Sequence, residues 1–418
     1  MKVLWITNVP LPPLCDSLGW NVPVSGGWLY SIAKRLISNK SLDLSVVTFG
    51  SKRSEFIDKI VDGIHYFVIP YKNGDIETNH QFVRDYLKKI NEQITPDVVH
   101  IQGTEFALGN DYLKVFGGDR VVVSIQGLVS AIAPYYCSGV ERSKSLFPLT
   151  LKDVVKRTSM MKSAKIFSRR GEIEKDTIKM VEHIIGRTEW DKAQTWAINP
   201  HVNYYHCDEI IRDTFYKKQW DYNFCKPHSI FISQAGYPLK GFHFVLKALP
   251  KVIEEFPDTM VFVAGPDITR KKPWYRYNSY GKYIGNMIEE LGLESHVTFL
   301  GNLNETQMCD SYLKSNVFIC PSSIENSPNS LGEAQLLGVP SLASYVGGVP
   351  DMMYNNTENI YRFDDVAMLS FKICKLFEKK GEAQPAEKIR LCALQRHSPD
   401  EIINKTLQIY QLIIDSQN

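Results

Sequence analysis

The chain of 418 residues lacks a strong excess of charge of either sign. Lysine and arginine total 48 and aspartate and glutamate total 46, which leaves a formal net charge of +2. A protein that holds nucleic acid through its phosphates needs a basic surface, and this composition provides no overall positive field. We therefore expect no nucleic acid among its partners.

Cysteines in metal-binding or disulfide patterns are also lacking. The eight cysteines form no CxxC pair and no cluster with histidine at metal-ligand spacing, and no Asp-x-Asp motif follows a predicted strand. A chain of this length does not need disulfides to stabilise a small core. We predict reduced thiols, a cytoplasmic location, and no metal or other cofactor.

Long apolar runs are absent as well. No segment reaches the roughly 18 to 20 uninterrupted apolar residues that span a bilayer. The N-terminal stretch MKVLWITNVPLPPLCD carries one lysine and a short apolar run broken by prolines, which does not fit a secretory signal. Any role at a membrane is therefore expected to be peripheral, on the inner face of the cytoplasmic membrane.

Short apolar runs without polar alternation recur along the whole chain. Such runs are typical of strands buried on both faces of a parallel sheet, and helical patterns at 26–38 and 79–93 lie between them. The pattern predicts an α/β fold with two doubly wound, Rossmann-like domains. The predicted strands are 2–9, 44–49, 65–70, 98–103, 121–127 and 183–188 in the first half, and 229–234, 260–265, 297–301, 317–322 and 340–346 in the second.

Two interruptions of this rhythm guide the division into domains. They lie at about 138–180 and over the polar, aromatic stretch 210–228. We place the boundary in the second, with an N-terminal domain over 1–212 and a C-terminal domain over 213–397. Residues 398–418 open with Ser-Pro and continue at helical spacing, which predicts a closing helix that packs back toward the N-terminal domain.

The segment after the predicted strand 317–322 carries the most information about function. Glu325 lies in the loop after the strand, and Glu333 is expected in the first turn of a helix that Asn329 or Ser330 could cap. Helix N-termini favour phosphate, and carboxylates accept hydrogen bonds from sugar hydroxyls. The combination suits a nucleotide sugar, although Glu333 alone could equally be an ordinary acid that favours the helix dipole.

The frame PSSIENSPNSLGEAQLLGVPSLASYVGGVP resembles the E-x7-E signature of retaining GT-B glycosyltransferases of family GT4. The likeness extends through PDVVHIQGTE at 96–105, PDTMVFVAGPD at 257–267 and VTFLGNLNETQM at 297–308, and so covers nearly the whole chain. It implies a GT-B fold, with two Rossmann-like domains facing a central cleft. The N-terminal domain, 1–212, would bind the acceptor, and the C-terminal domain, 213–397, would bind the nucleotide sugar. It also implies a hexosyltransferase that uses a nucleotide-sugar donor, a UDP-sugar being favoured. The acceptor would be a glycan or a polyprenyl-diphosphate-linked sugar in capsular or other surface polysaccharide biosynthesis.

The resemblance assigns roles to individual residues of the second domain. Glu325 would bind hydroxyls of the donor sugar at the catalytic centre, and Glu333 would bind the ribose hydroxyls. The step they serve is departure of the leaving group, during which negative charge on the β-phosphate must be met by hydrogen-bond donors. The other implied donor-binding residues are Gly265, Asn326, Ser327, Ser330 and Leu331.

Positive charge for the diphosphate follows the family pattern only in part. Lys240, in SQAGYPLKGFH, matches the family's lysine and is assigned a catalytic and donor-binding role, whereas Ala235 stands where an arginine is expected. Arg187, at the end of the predicted strand 183–188, could compensate by pointing into the cleft. A surface or interdomain salt bridge is an equally good interpretation of Arg187.

Five residues of the first domain are candidates on weaker patterns. Gly26 and Gly27 precede a helix, where glycines let the backbone approach a phosphate or sugar. Gln126 stands where the family often has histidine; it can orient a hydroxyl but cannot act as a base, so the departing phosphate is expected to deprotonate the acceptor. His100 and Glu105 are predicted on the acceptor side, with a structural role as the alternative for the lone strand histidine.

Residues 142–170 carry nine basic side chains against Asp153 alone, a local charge of +8. Apolar residues are interleaved with the basic ones, a pattern typical of a surface that lies on anionic lipid. A helical excursion that lines the cleft, with its basic residues solvated or facing a phosphorylated acceptor, is an equal alternative.

Two other functions fit the same architecture. One is a sugar-nucleotide epimerase or hydrolase, which would consume its donor without a glycan acceptor. The other is a non-catalytic sugar-nucleotide binding protein, an interpretation that the departures at Ala235 and Gln126 leave open.

Overall fold

The computed structural model describes residues 1–23, 27–38, 42–50, 55–70, 80–146, 150–155, 159–269, 278–380 and 383–416. The chain divides into two compact units. Unit 1 comprises Met1–Ala131, Ser168–Arg212 and His397–Asn418, and unit 2 comprises Ile132–Phe167 and Asp213–Arg396.

The assignment of Ile132–Phe167 differs from the predicted domain limits. The predicted N-terminal domain, 1–212, included this segment, whereas in the structure it belongs to unit 2. Met160 lies in the hydrophobic core of unit 2, and the Asp153 carboxylate accepts a hydrogen bond from the Ser279 hydroxyl. These long-range contacts leave no local trace in the sequence, which shows only that the strand rhythm is interrupted there.

The strands form two separate sheets, one in each unit. In chain order they are β1 (Lys2–Thr7), β2 (Asp43–Phe49), β3 (Ile57–Val61), β4 (Ile64–Ile69), β5 (Val98–Gln102), β6 (Val121–Ser124), β7 (His183–Gly186), β8 (Asn203–His206), β9 (Lys226–Ile232), β10 (Met260–Val263), β11 (Val297–Phe299), β12 (Ser315–Cys320), β13 (Ser341–Ser344) and β14 (Ile360–Tyr361).

Helices connect the strands of both sheets. They are α1 (Pro12–Leu18), α2 (Gly27–Ile37), α3 (His80–Ile94), α4 (Ala107–Phe116), α5 (Val129–Ile132), α6 (Arg142–Leu146), α7 (Leu151–Val155), α8 (Met160–Lys179), α9 (Glu189–Ile198), α10 (Thr214–Lys217), α11 (Phe242–Glu255), α12 (Ser279–Glu290), α13 (Glu305–Leu313), α14 (Asn329–Leu337), α15 (Val349–Met352), α16 (Val366–Glu378), α17 (Ala383–Arg396) and α18 (Pro399–Asp415). Among the described residues, no helix combines the length and the apolar character that crossing a membrane requires.

The sheet of unit 1 has the order β3-β4-β2-β1-β5-β6-β7-β8, and β3 is its antiparallel strand. Continuous burial of β1, β5 and β6 explains why their sequences lack polar alternation. The strands β3 and β8 were not predicted. Both are partly exposed edge strands, so neither carries the continuous apolar run that marks a buried strand.

The sheet of unit 2 has the order β11-β10-β9-β12-β13-β14 and is parallel throughout. The chain runs outward from β9 to β11 and then returns to add β12 on the other side of β9. The order therefore reverses between β9 and β12, and both sheets are doubly wound. The predicted fold class is confirmed.

The last helix, α18, packs against unit 1. The Tyr410 hydroxyl accepts a hydrogen bond from Trp5 Nε1 at 3.0 Å and lies 2.7 Å from His100 Nδ1. Both partners belong to the central strands β1 and β5, so the end of the chain contributes to the core of the first sheet.

Candidate functional site

In unit 2, Lys240 and Glu325 meet at one edge of the sheet. Lys240 follows β9 and Glu325 follows β12, and Lys240 Nζ lies 2.5 Å from Glu325 Oε1. In doubly wound sheets, ligands bind outside the carboxyl ends of the strands, where the strand order reverses. The paired residues therefore occupy the position that this fold offers to a ligand.

A glycine allows the two loops to approach each other. Gly241 has a φ of 69°, and a Cβ atom at this position would overlap the carbonyl oxygen of Pro321. The Ser323 amide also donates a hydrogen bond to the Leu239 carbonyl at 2.8 Å. A side chain at position 241 would therefore separate the loop that carries Lys240 from the loop that carries Glu325.

The Glu325 carboxylate is held by its neighbours. The Ser322 hydroxyl donates to Glu325 Oε1 at 2.8 Å, and the Ser344 hydroxyl donates to the Ser322 carbonyl at 2.5 Å. The Gly348 amide donates to the Glu325 carbonyl at 3.1 Å. Ser322 was not predicted as a site residue, and only its contact with Glu325 in the structure identifies it.

The surroundings of Lys240 keep its ammonium group protonated. Burial by itself lowers the pKa of the ammonium group, but the negative charge of Glu325 raises it, and the net pKa lies well above its ordinary value. Lys240 is therefore a fixed cation at neutral pH. A diphosphate that displaced Glu325 would meet a charged partner already in place.

The helix α14 begins differently from the prediction. Pro328 occupies the N-cap position without a side-chain hydrogen bond, and the helix starts at Asn329, so neither Asn329 nor Ser330 caps it. Glu333 consequently lies beyond the first turn rather than within it, and its side chain is buried. The rigid proline ring, which cannot continue a helix toward its N-terminal side, sets the start of α14.

The remaining predicted donor-binding residues around α14 differ in burial and in their hydrogen-bond partners. Asn326 and Ser327 are buried, and the Ser327 hydroxyl lies 3.6 Å from Met352 Sδ. Ser330 is half-buried, and its carbonyl accepts from the Tyr312 hydroxyl at 2.9 Å. Leu331 has a fully buried side chain and its amide donates to the Pro328 carbonyl at 2.9 Å, so it contributes to packing rather than an available donor.

Two further positions lie at the same edge of the sheet. Gly265 follows β10 with a φ of 104°, and its amide donates to the Gly301 carbonyl at 2.8 Å. Ala235, which replaces the expected arginine, is buried in the hydrophobic core of unit 2. Of the two positions where the family pattern expects a cation, only Lys240 carries one.

The carboxyl edge of the sheet of unit 1 brings together Glu105 and Gln126. They follow the neighbouring strands β5 and β6 and flank Gly103, whose φ is 96°. Glu105 Oε1 accepts from the Gly127 amide at 3.2 Å, and Oε2 accepts from Asn8 Nδ2 at 3.3 Å. Burial raises the pKa of Glu105 to about 7, and the charge of the nearby Glu174 adds to the effect.

Glu174 was not predicted, yet it connects these two loops. Its carboxylate accepts hydrogen bonds from the Thr104 hydroxyl at 2.7 Å, the Val129 amide at 3.0 Å, and the Ser130 amide and hydroxyl at 2.8 and 2.6 Å. No sequence signal identifies Glu174, because an acid in a charged helix such as GEIEKD is normally exposed to solvent.

His100 and Arg187 both have buried partners within unit 1. His100 is buried, with Nδ1 2.7 Å from the Tyr410 hydroxyl and Nε2 2.7 Å from the Ser124 hydroxyl. Burial lowers the pKa of His100 to about 3, so the ring is neutral. Arg187 is buried and lies 2.7 Å from Glu209 within unit 1, so its charge is already matched by a protein carboxylate. That Arg187 replaces the missing arginine stays a prediction, and it would require the ion pair with Glu209 to open.

The predicted glycine pair lies only partly within the described residues. Gly26 is outside them, and Gly27 is the first residue of α2. A Cβ atom at Gly27 would lie 3.5 Å from Cδ of Arg212, so an arginine side chain runs past the start of this helix.

Residues 216–390 match the family described as Glycosyl transferases group 1. The match covers 175 of the 418 residues, so the likeness to this family concerns that part of the chain. The predicted second-domain site residues Lys240, Gly265, Glu325 and Glu333 all lie within it, and so does the unpredicted Ser322.

Curated relatives of the chain include named transferases. It is 31% identical over 118 residues to spore coat protein SA of Bacillus subtilis strain 168, a match that covers 28% of this chain and 29% of that protein. It is 27% identical over 148 residues to a GDP-mannose-dependent monoacylated alpha-(1-6)-phosphatidylinositol monomannoside mannosyltransferase of Corynebacterium glutamicum, covering 34% of this chain and 35% of that protein. The chain thus spans about a third of the length of these two relatives. The second of these relatives is by name a mannosyltransferase.

A solved structure extends the likeness to the whole chain. Sucrose-phosphate synthase from Thermosynechococcus elongatus superposes with a TM-score of 0.72 at 13% sequence identity, and the match covers 100% of both chains. At this identity the likeness concerns the fold alone. The chain therefore has the GT-B fold that the resemblance implied.

In the described part of the chain, no group of three or more histidine, cysteine, aspartate or glutamate side chains could hold a metal ion. The prediction that the glycosyltransferase domain works without a metal remains a prediction, which an experiment on activity must test.

Proposed function

We propose that the protein is a retaining glycosyltransferase that moves a hexose-type sugar from a nucleotide-diphosphate donor to a glycan or lipid-linked acceptor in surface polysaccharide biosynthesis. The observation that carries the proposal is the Lys240–Glu325 pair beside α14, at the point of strand reversal in a group 1 glycosyltransferase domain. The mannosyltransferase named among the relatives supports sugar transfer as the reaction.

The chemistry follows from the charges at this edge. A donor diphosphate would replace Glu325 as the partner of Lys240, and the released carboxylate would accept hydrogen bonds from hydroxyls of the donor sugar. Glu333 would bind the ribose. When the bond from the anomeric carbon to the phosphate oxygen breaks, the electron pair passes to the leaving diphosphate, and the ammonium group of Lys240 stabilises the growing charge.

The acceptor step in this proposal uses no protein nucleophile. The acceptor oxygen would attack the anomeric carbon on the face that the phosphate leaves, and the acceptor proton would pass to the departing phosphate oxygen. Gln126 would orient the acceptor hydroxyl through its side-chain amide. The sugar would keep its anomeric configuration.

Donor binding is the first test. In a thermal-shift panel of UDP-, GDP- and ADP-sugars, one class should raise the melting temperature, because a ligand that binds the folded state stabilises it. UDP-sugars are expected to give the largest shift. Lys240→Ala should weaken donor affinity by about 10- to 100-fold, the effect of losing one charged hydrogen bond.

Lys251→Ala is the matched control for Lys240→Ala. Lys251 lies in the same domain, is mostly exposed, and pairs with Glu254 at the surface. This variant should bind the donor like the wild type. If no nucleotide sugar shifts the melting temperature, or if both lysine variants behave alike, the proposed donor site is wrong.

Turnover separates the proposal from its alternatives. A transferase should release nucleotide diphosphate only when a glycan acceptor is present, and NMR of the product should show a retained anomeric configuration. Consumption of donor without acceptor would indicate the epimerase or hydrolase, and donor binding without turnover by any acceptor would indicate a binding protein. Loss of transfer on addition of EDTA would overturn the predicted metal independence.

Association with an anionic membrane surface through 142–170 is part of the proposal. Residues 147–149 and 156–158 lie outside the described residues. Elsewhere in the segment, the side chains of Val154, Val155, Met161 and Ile166 are exposed large hydrophobic groups, and Lys162 and Lys165 are exposed beside them. Such a mixture supports binding to anionic lipid.

Liposome flotation tests the membrane interaction. The protein should float with vesicles that contain anionic phospholipid and remain at the bottom of the gradient with neutral vesicles. A variant with Lys162→Glu and Lys165→Glu should lose flotation. If the wild type does not bind anionic vesicles, the segment has another role.

A further inference from the structure

The lysine of the proposed donor site lies beside an aromatic ring. Tyr237 precedes a single 3₁₀ turn, Pro238–Lys240, and its carbonyl accepts a hydrogen bond from the Lys240 amide at 3.1 Å. In such a turn, side chains three positions apart lie on the same side. The Lys240 ammonium nitrogen accordingly lies over the Tyr237 ring, 5.8 Å from the ring centre.

A second aromatic side chain supports the Tyr237 ring. The buried Tyr136 ring stacks on it, with 6.4 Å between the ring centres and 17° between the ring planes. Tyr136 is also packed against Phe167, with 4.9 Å between the ring centres. Tyr136 and Phe167 both belong to Ile132–Phe167, the segment that joins unit 2 although it comes between parts of unit 1 in the chain. All four side chains of this row are therefore in unit 2.

A buried histidine fixes the position of Tyr136 relative to Lys240. His243 lies in the first turn of α11, which begins two residues after Lys240, and its Nε2 atom lies 3.0 Å from the Ser138 carbonyl. A carbonyl can only accept, so Nε2 carries a proton. Burial lowers the pKa of His243 to about 3, so the ring is neutral and Nδ1 accepts a hydrogen bond from the Tyr280 hydroxyl at 3.1 Å.

A glycine allows the backbone after Tyr136 to approach α11 this closely. Gly139 has a φ of 75°, and a Cβ atom at this position would overlap the ring of Phe244. The Lys247 ammonium group also donates to the Gly139 carbonyl at 3.3 Å. The turn that follows Tyr136 is therefore held against the same helix that follows Lys240.

The Tyr237 ring and the Glu325 carboxylate interact with Lys240 in different ways. Glu325 accepts a hydrogen bond from the ammonium group at 2.5 Å, and a diphosphate would have to replace it. The ring attracts the ammonium group through its face and accepts none of its three N–H groups in the way a carboxylate does. The contact with the ring can therefore persist while a diphosphate binds. It matters more in this chain because Ala235 stands where a second cation is expected.

We propose that Tyr237 is a positioning residue that holds the Lys240 ammonium group for the donor diphosphate once Glu325 has been displaced, and that Tyr136 holds the Tyr237 ring. The inference rests on the proposed function and deepens it. It gives part of Ile132–Phe167 a role in the donor site that differs from membrane contact, since Tyr136 is buried.

Calorimetric titration with inorganic pyrophosphate tests this arrangement, because pyrophosphate carries the diphosphate without nucleotide or sugar. The wild type should bind it, and Lys240→Ala should lose most of the affinity. Tyr237→Leu should weaken binding by about three- to tenfold, the effect of losing one cation–π contact at a half-buried site. Tyr237→Phe keeps the face of the ring and should bind within about twofold of the wild type.

The electronic character of the ring separates positioning of the cation from simple packing. Replacement of Tyr237 by trifluorophenylalanine keeps an aromatic ring of similar shape, but the fluorine atoms withdraw electron density from its face. If the ring acts on the Lys240 charge, this form should bind pyrophosphate about as weakly as Tyr237→Leu. If the ring only fills space, it should bind like Tyr237→Phe.

Phe371→Leu is the matched control. It removes another lysine–aromatic contact of unit 2, on α16, in which Lys375 Nζ lies 4.8 Å from the centre of the Phe371 ring. This variant should bind pyrophosphate like the wild type. Tyr136→Met, which fills part of the space without a ring, should weaken binding by about two- to threefold. Melting curves of every variant would establish that it is folded at the temperature of the titration.

The outcomes separate this inference from the proposed function. Absence of pyrophosphate binding, wild-type affinity in Tyr237→Leu, or equal affinities of the phenylalanine and trifluorophenylalanine forms would overturn the role of Tyr237. Wild-type affinity in Tyr136→Met would overturn the role of Tyr136. If nucleotide sugars raise the melting temperature in any of these cases, the proposed function stands. If pyrophosphate binding depends on the ring but no nucleotide sugar binds, the proposed function fails and Tyr237 still positions Lys240 for an anion.

Discussion

Replacement of Glu105 by glutamine is expected to stabilise the protein above about pH 7 and to leave its stability unchanged near pH 4. In the folded chain the pKa of Glu105 is raised to about 7, compared with an ordinary value of 4.5. Between these values the folded state keeps a proton that the unfolded state has lost. The wild type therefore loses stability as the pH rises through this window.

The magnitude follows from the two pKa values. At about 1.4 kcal/mol for each pH unit, the interval between 4.5 and about 7 sets an upper limit near 3 kcal/mol. Glu105 is half-buried, and solvent screening reduces the effect, so we expect about 1 to 2 kcal/mol. Glutamine can keep the hydrogen bond from the Gly127 amide, and the Asn8 amide can turn to pair with the new amide group.

The melting temperatures of Glu105→Gln and the wild type would be measured at pH 4, 5, 6, 7 and 8, and their difference compared across the series. A gain of 1 to 2 kcal/mol corresponds to roughly 2 to 8 °C for a domain of about 200 residues. Glu189→Gln serves as control, because Glu189 lies in unit 1 with its side chain 81% exposed and should show no such trend. A constant difference across the pH range, or the same curve for both variants, would refute the reasoning.

Three further substitutions test the packing around the two sites by urea or thermal unfolding and, for the first, by donor titration. Gly241→Ala should destabilise the protein by more than about 2 kcal/mol and abolish donor binding. The reason is that the new Cβ atom would overlap the Pro321 carbonyl, at a residue whose φ is positive. Gly236→Ala in the same loop is the control and should be tolerated, because a Cβ atom there meets open space. Glu174→Gln should lower the free energy of unfolding by about 2 to 4 kcal/mol, because the new amide nitrogen would face groups that donate hydrogen bonds to the carboxylate. An unchanged stability would contradict the four hydrogen bonds to Glu174. Tyr410→Phe should cost about 1 to 3 kcal/mol because two buried partners lose the hydroxyl, and a neutral result would mean that α18 does not stabilise the first sheet through this residue.

The parts of the site that the sequence indicated are those with a local pattern. Glu325 and Lys240 each follow a buried strand, and in a doubly wound sheet such residues gather at one edge. Glu105 and Gln126 follow neighbouring strands for the same reason. Their approximate location therefore follows from the apolar strand runs and the order of the elements.

The parts that the sequence did not indicate depend on contacts between distant segments. Glu174 is separated by 70 positions from Thr104, and Asp153 by 126 from Ser279, so no spacing rule connects them. The predicted alternatives for Arg187 were a position in the cleft and a surface or interdomain salt bridge. The buried pairing with Glu209 inside unit 1 is neither, and it depends on the packing of β7 beside β8.

The predicted N-cap of α14 was wrong. Asn329 and Ser330 are good capping residues in isolation, but Pro328 precedes them and ends the extended segment one residue earlier. As a result Glu333 lies deeper in the helix and is buried. Its surroundings, rather than its distance from Glu325 along the chain, determine which groups it can reach.

By itself, the sequence determined the two parallel sheets and the acidic pair after β12, because strands buried on both faces must be apolar throughout and their carboxyl ends must carry the polar loops. The tertiary structure alone decided which charges are matched. Lys240 pairs with Glu325, and Arg187 pairs with Glu209. The pKa of Glu105 is raised to about 7 because burial opposes the charged form of its carboxyl group. Charge interactions depend on distance and solvent exposure in three dimensions, and neither quantity can be read from spacing along the chain.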